Sequence, residues 1–252
     1  MRLSLSSAAA PDAALAELLA ACARRGLAAV ELAEPLGHGL DAATNADDLE
    51  ALRAASRDAG VEVCGIFRRE LHAEDLEPAA QLAAALGAPL VVTATGVPWG
   101  LLPDAARVFA AAGAELLLAT RTDPDAVDLL RRSIGELPVP GAVGIAWEVM
   151  PESDDPSLVG EVVHAAGPHL RYVRLHGGGP EAAQQTGRGV GALMARLTLT
   201  RFAGPLVLTP STPRYHYVWR AWLGRAGGWG CGSKQSDPSL IALDKVNTEG
   251  GR

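Results

Sequence analysis

Eight times between residue 2 and about residue 223, a short apolar run gives way to an alanine- and leucine-rich stretch with helical spacing. The runs are RLSLS (2 to 6), AAVEL (28 to 32), VEVCGI (61 to 66), PLVVTA (89 to 94), ELLLA (115 to 119), AVGIAWE (142 to 148), RYVRLH (171 to 176) and PLVLT (205 to 209). Helix candidates follow near 11 to 25, 43 to 59, 74 to 86, 103 to 112, 124 to 135, 155 to 166, 189 to 200 and 214 to 223. Several open on Pro-Asp or on an Asp suited to a helix start. Strands apolar on both faces, each followed by a helix, are what a parallel sheet covered by helices requires. Eight such units match a (β/α)8 TIM barrel over residues 1 to 223. A doubly wound open sheet shares the alternation, but no GxGxxG phosphate turn follows the first run.

With 48% apolar residues in 252, the chain can bury a large core. Its formal charge of −7 supplies no basic field for a phosphate backbone, which argues against nucleic acid as a partner. Cys22, Cys64 and Cys231 are far apart and form no CxxC pair, so neither a disulfide framework nor a cysteine zinc site is expected. No signal-like apolar segment opens the chain and no run is long enough to span a bilayer, so a cytoplasmic protein without membrane association is expected.

In a parallel barrel the reactive side chains are those that point inward at the C-terminal strand ends, and the two-residue period of a strand selects them. On the sixth run Val143, Ile145, Trp147 and Val149 form the bulky, helix-facing set, which turns Glu148 inward. The same count places Arg174 and His176 inward on the seventh run, Thr209 and Ser211 on the eighth, Glu31 on the second, Thr93 and Thr95 on the fourth, and Ser4 and Ser6 on the first. A carboxylate, a guanidinium and an imidazole on neighbouring strand ends can move a proton and steady an anion. Glu148 and His176 are thus the candidate acid/base pair, and Arg174, Glu31, Thr209 and Thr95 the candidate substrate contacts. The bland alternative is that Glu148 and Arg174 only neutralise each other.

Three segments resemble the xylose-isomerase-like TIM-barrel superfamily of sugar-phosphate isomerases and epimerases, which also has an endonuclease IV branch. They are GLAAVELAEPLGHGL, VGIAWEV, and LRYVRLHGGGP followed by TGRGVGALMARLTLTRFAGPLVLT. The resemblance implies a divalent metal held by Glu, Asp, His and Glu on strands five to eight. The matching positions here hold Ala119 or Thr120, Glu148, Arg174 and Thr209, so the usual metal site is incomplete. His176 stands two residues beyond the position of the implied histidine. A displaced metal site would draw on Glu31, Glu148 and His176, with His38 from the loop after the second strand; the cofactor itself is left open.

Beyond residue 223 the sequence becomes glycine-rich and polar, and residues 224 to 252 read as a disordered tail carrying Trp229 and Cys231. Tyr215, Trp219 and Trp222 just before it follow helical spacing and read as a packing stripe. Two functional readings follow. The first is a sugar isomerase or epimerase-like protein acting on a small sugar, sugar phosphate or sugar acid by proton transfer. The second is a barrel without catalysis, serving as a binding or accessory protein whose Gly/Trp/Cys tail engages a protein partner. A DNA-repair endonuclease, the third reading, fits neither the charge nor the missing metal ligands.

Overall fold

The computed structural model describes residues 2–11, 13–34, 46–150, 155–177, 193 and 195–210. Strands β1 (Arg2–Ser6), β2 (Ala29–Ala33), β3 (Glu62–Arg68), β4 (Leu90–Thr93), β5 (Leu116–Thr120), β6 (Val143–Val149), β7 (Leu170–Gly177) and β8 (Pro205–Pro210) are parallel and pair in chain order. β8 pairs with β1, closing the barrel. That closure removes the open-sheet alternative, which would leave two unpaired edges. All eight sequence-derived strands lie within one or two residues of the observed ones.

Outside the barrel run α1 (Leu15–Arg24), α2 (Ala46–Ala59), α3 (Leu76–Leu86), α4 (Leu102–Ala112), α5 (Pro124–Gly135) and α6 (Val159–Ala166), and residues 195–199 are helical. α5 shows why these boundaries fall where they do: Pro124 fits the first turn, and the Asp123 carboxylate accepts from the backbone N–H groups of Asp125 and Ala126 at 3.1 Å. Val127, Leu130 and Ile134 then face the barrel, one helical turn apart. The first helix starts later than its sequence pattern suggests. Residues Ser7–Ala9 instead form a short 3-10 turn, and the buried Ser7 hydroxyl accepts from the Ala33 N–H at 2.9 Å, tying the end of β1 to β2. The helix expected at 155 to 166 likewise opens with a 3-10 turn, Pro156–Leu158. The helix expected at 214 to 223, the aromatic stripe and the tail lie outside the described residues.

Strand periodicity divides the core into two layers. Val30, Leu32, Val143, Ile145, Trp147, Val173, Leu175 and Leu206 pack outward against the helices, while Ala29, Ala33, Cys64, Phe67, Val91, Leu117, Ala119, Ala146, Tyr172 and Val207 fill the barrel. The inner layer is mostly small residues around two rings, which leaves room for polar side chains nearer the mouth. β3 departs from strict alternation. Its pairing with β2 shifts between Val30 and Glu31, so that Glu31 pairs with Gly65 and both Cys64 and Phe67 end up inside. Among the described residues no helix is long and apolar enough to cross a membrane.

Gly65 is what admits Tyr172 to the interior: a Cβ there would lie 2.5 Å from the phenol oxygen and 2.9 Å from the ring carbon that bears it. Gly113, which ends α4 at φ 68°, has open space beside it. Gly65→Ala is therefore expected to lower the unfolding free energy by about 1–3 kcal/mol through overpacking. Gly113→Ala should cost about 1–2 kcal/mol from the left-handed backbone alone. Urea unfolding followed by circular dichroism measures both, and only the Gly65 loss should shrink when Tyr172 is also cut to Leu.

Candidate active site

The polar residues of β2, β6 and β7 meet inside the mouth of the barrel because of register. Glu148 lies opposite Arg174 on the paired strands β6 and β7, and Glu31 points inward from β2 across the barrel. Arg174 donates from Nε to Glu31 Oε2 at 3.0 Å, from Nη2 to Glu31 Oε1 at 3.3 Å, and from Nη1 to Glu148 Oε1. The guanidinium carbon lies 3.4 Å from the centroid of the Phe67 ring, so the aromatic face covers one side of the plane. Glu31 also accepts from the Tyr172 hydroxyl at 3.1 Å, and the Cys64 sulfur lies 3.7 Å from that hydroxyl. The side chains of Arg174 and Glu31 are 3% and 0% exposed, which removes both from bulk water.

His176 is one pleat further out. Its Nε2 lies 3.2 Å from Glu148 Oε1, the same oxygen that receives Nη1 of Arg174, and its side chain is 14% exposed. A carboxylate only accepts, so this contact puts a hydrogen on Nε2 and leaves Nδ1 as the nitrogen with a lone pair in the neutral ring. Burial disfavours ionisation of Glu148, but the hydrogen bond from His176 and the charge of Arg174 outweigh it and hold the carboxyl below its ordinary range. Arg174 is held charged against burial by Glu31 and Glu148. Deeper in, burial pushes the Cys64 thiol up to about 12 and the Tyr172 phenol well above its usual value, so both stay protonated at neutral pH.

Of the residues singled out in the sequence, Glu31, Glu148, Arg174 and His176 come together in this cluster. Thr209 is buried beside it, paired in register with His176 across β7 and β8. Ser4 and Ser6 are buried on β1, and the Ser6 hydroxyl accepts from the Ala8 N–H that follows it. Thr93 donates to the Arg69 carbonyl at 2.6 Å, and Thr95 is exposed on the turn after β4, outside the hydrogen-bonded cluster. His38 and Ser211 lie outside the described residues. Arg174, considered as a contact for a substrate anion, has Nε and both terminal nitrogens engaged by carboxylates. Among the described residues no three His, Cys, Asp or Glu side chains converge as a metal-holding group. Sequence reasoning missed Tyr172 and Phe67. Tyr172 shares the parity of Arg174 and could have been found by it; Phe67 is turned inward by the irregularity at Gly65.

A carboxyl held below its ordinary value stabilises the fold at pH values above 4.5, and that contribution is lost as pH falls through the lowered value. Urea midpoints measured from pH 6 downward should therefore fall with acid in the wild type. Glu148→Gln should start lower at neutral pH and lose less on acidification; a parallel pair of pH curves would contradict this assignment.

No protein-family model and no curated protein sequence matches the chain. Solved structures do. The crystal structure of a D-psicose 3-epimerase in the presence of D-fructose superposes with a TM-score of 0.63 at 12% identity, covering 96% of this chain and 98% of that one. The apo 3-keto-D-glucoside 4-epimerase of E. coli gives 0.61 at 15% identity over 88% of this chain and 98% of that one. A xylose isomerase domain containing protein of Salmonella typhimurium LT2 gives 0.59 at 15% identity, covering 89% and 95%. At such identities the likeness is one of fold: the chain is a (β/α)8 barrel of the same fold as these proteins.

Proposed function

We propose that this barrel is a sugar isomerase or epimerase-like enzyme in which His176 and Glu148 work as one acid/base unit on a small sugar, sugar phosphate or sugar acid. The observation that carries the reading is the contact between His176 Nε2 and Glu148 Oε1 at the C-terminal end of adjacent strands, where barrels of this class place their chemistry. The fold shared with sugar epimerases supports the substrate class.

The division of labour follows from the charges. Glu148 is held ionised by Arg174 and His176, which makes it a poor proton acceptor at neutral pH. It is better suited to fix the imidazole and to stabilise the imidazolium once a proton arrives. His176 is then the group that exchanges protons with substrate: Nδ1 removes the proton from the hydroxyl-bearing carbon beside a carbonyl, and the electron pair moves onto the carbonyl oxygen to give an enediolate. The hydroxyl proton passes to that oxygen, and return of the abstracted proton to the former carbonyl carbon, as the carbonyl re-forms on its neighbour, completes an isomerisation. Arg174 acts through Glu148, Glu31 holds Arg174, and Thr209 beside His176 offers a hydroxyl to the substrate.

The test is exchange in deuterated water. Purified protein incubated with aldoses, ketoses, their phosphates and sugar acids, with and without EDTA, should incorporate deuterium beside the carbonyl of one class, as read by proton NMR. His176→Gln and Glu148→Gln are expected to slow that exchange by about 100-fold or more. Absence of exchange with every class in the wild type would overturn the enzyme reading in favour of a binding or accessory barrel, a role for which a fully paired Arg174 is equally suited.

A further inference from the structure

We infer that Arg174 is the resident cation of this barrel: Glu31, Glu148 and the face of Phe67 form a guanidinium-shaped site, and no divalent ion is taken up at that level. The donors are laid out for a plane. Glu31 takes the Nε and Nη2 positions with its two oxygens, Glu148 takes Nη1, and the Phe67 ring lies against the flat side at 3.4 Å. Such an arrangement matches a delocalised, weakly hydrated fork. A divalent ion instead needs several donors converging on a point, and an aromatic face offers it none. No three His, Cys, Asp or Glu among the described residues supply that convergence. The divalent metal implied by the family resemblance thus does not fit these residues.

The consequence for His176 is indirect. Arg174 shares Glu148 Oε1 with His176 Nε2, so the guanidinium fixes the oxygen that fixes the ring. Arg174 is a positioning residue whose charge is covalently installed, and its occupancy does not vary with metal supply. The inference does not rest on turnover, because cation binding and melting report it whatever the substrate proves to be.

Full-length wild type, Arg174→Ala and Arg174→Lys are compared by thermal melting, each in EDTA, in manganese(II), in methylguanidinium and in tetramethylammonium. Metal content after dialysis is measured alongside. Expected are a wild-type Tm that is the same in EDTA and manganese with no stoichiometric metal retained, and an Arg174→Ala protein that melts lower. Methylguanidinium should raise the melting point of Arg174→Ala saturably, tetramethylammonium should not, and Glu31→Gln in the same background should abolish the rise. Arg174→Lys, which keeps the charge but not the fork, should melt below wild type; equal melting would overturn the shape-specific site. Retention of one manganese by the wild type, lost in Glu148→Gln, would overturn the proposal, as would a methylguanidinium series that leaves Arg174→Ala unmoved. Should Arg174→Ala fail to fold, the wild-type metal measurement and Arg174→Lys still decide.

Discussion

A single guanidinium, taken out of water and held between two buried carboxylates, is the constraint around which the inside of this barrel is arranged. An isolated charge in such a place would be untenable, and removing one member of a buried ion pair costs about 3–5 kcal/mol because its partner is left uncompensated. Each neighbour of Arg174 therefore has a reason to be where it is. Glu31 engages its Nε and Nη2, Glu148 engages Nη1, Phe67 covers a face, and Tyr172 satisfies Glu31 from below. The small inner residues Ala29, Ala33, Ala119 and Ala146 make room for this set. The imidazole of His176 completes this set as the further hydrogen-bond partner of Glu148.

The same cluster determines how a second cation would fare. An ion carrying two charges placed about 4 Å from the guanidinium would be repelled by about 8 kcal/mol at an effective dielectric of 20. The two carboxylates offset part of this repulsion, but the oxygens that face the guanidinium are already engaged as its hydrogen-bond acceptors. Likeness of fold to sugar epimerases thus coexists with an interior whose electrostatics are set by a side chain, and the fold alone carries no ligand set with it.

How far the sequence led can be judged strand by strand. The outward set Val143, Ile145, Trp147 and Val149 and the inward Glu148 follow from alternation, because β6 runs through this stretch without an interruption in its own pleat. Arg174 and His176 followed by the same rule, and the cluster of Glu31, Glu148, Arg174 and His176 was legible as a set of inward side chains. Which of them pair was not, since that depends on register between strands and on side-chain length. β3 shows the limit most plainly. Strict alternation from Cys64 would turn Ile66 inward, whereas Ile66 packs against the helices and Phe67 faces Arg174. A glycine inside a strand is the local signal for such an irregularity, and Gly65 is there because Tyr172 occupies the space of its missing side chain. The start of α1 was displaced for a comparable reason, with Ser7 used to tie β1 to β2 before the helix begins.

The geometry of one imidazole backed by one carboxylate also bears on which reaction such a mouth suits. A proton taken by His176 Nδ1 leaves from one face of the substrate, and the same nitrogen returns it to that face. Movement of a carbonyl between neighbouring carbons needs no more than this. Inversion at a carbon needs a second group on the opposite face, and Glu148, held ionised with its Oε1 engaged by His176 and Arg174, is a poor proton donor for that task. Cys64 and Tyr172, kept protonated and buried beneath Glu31, do not serve as alternative bases. On the reading proposed above, the residues described suit transfer along one face of the substrate, which favours isomerisation over inversion.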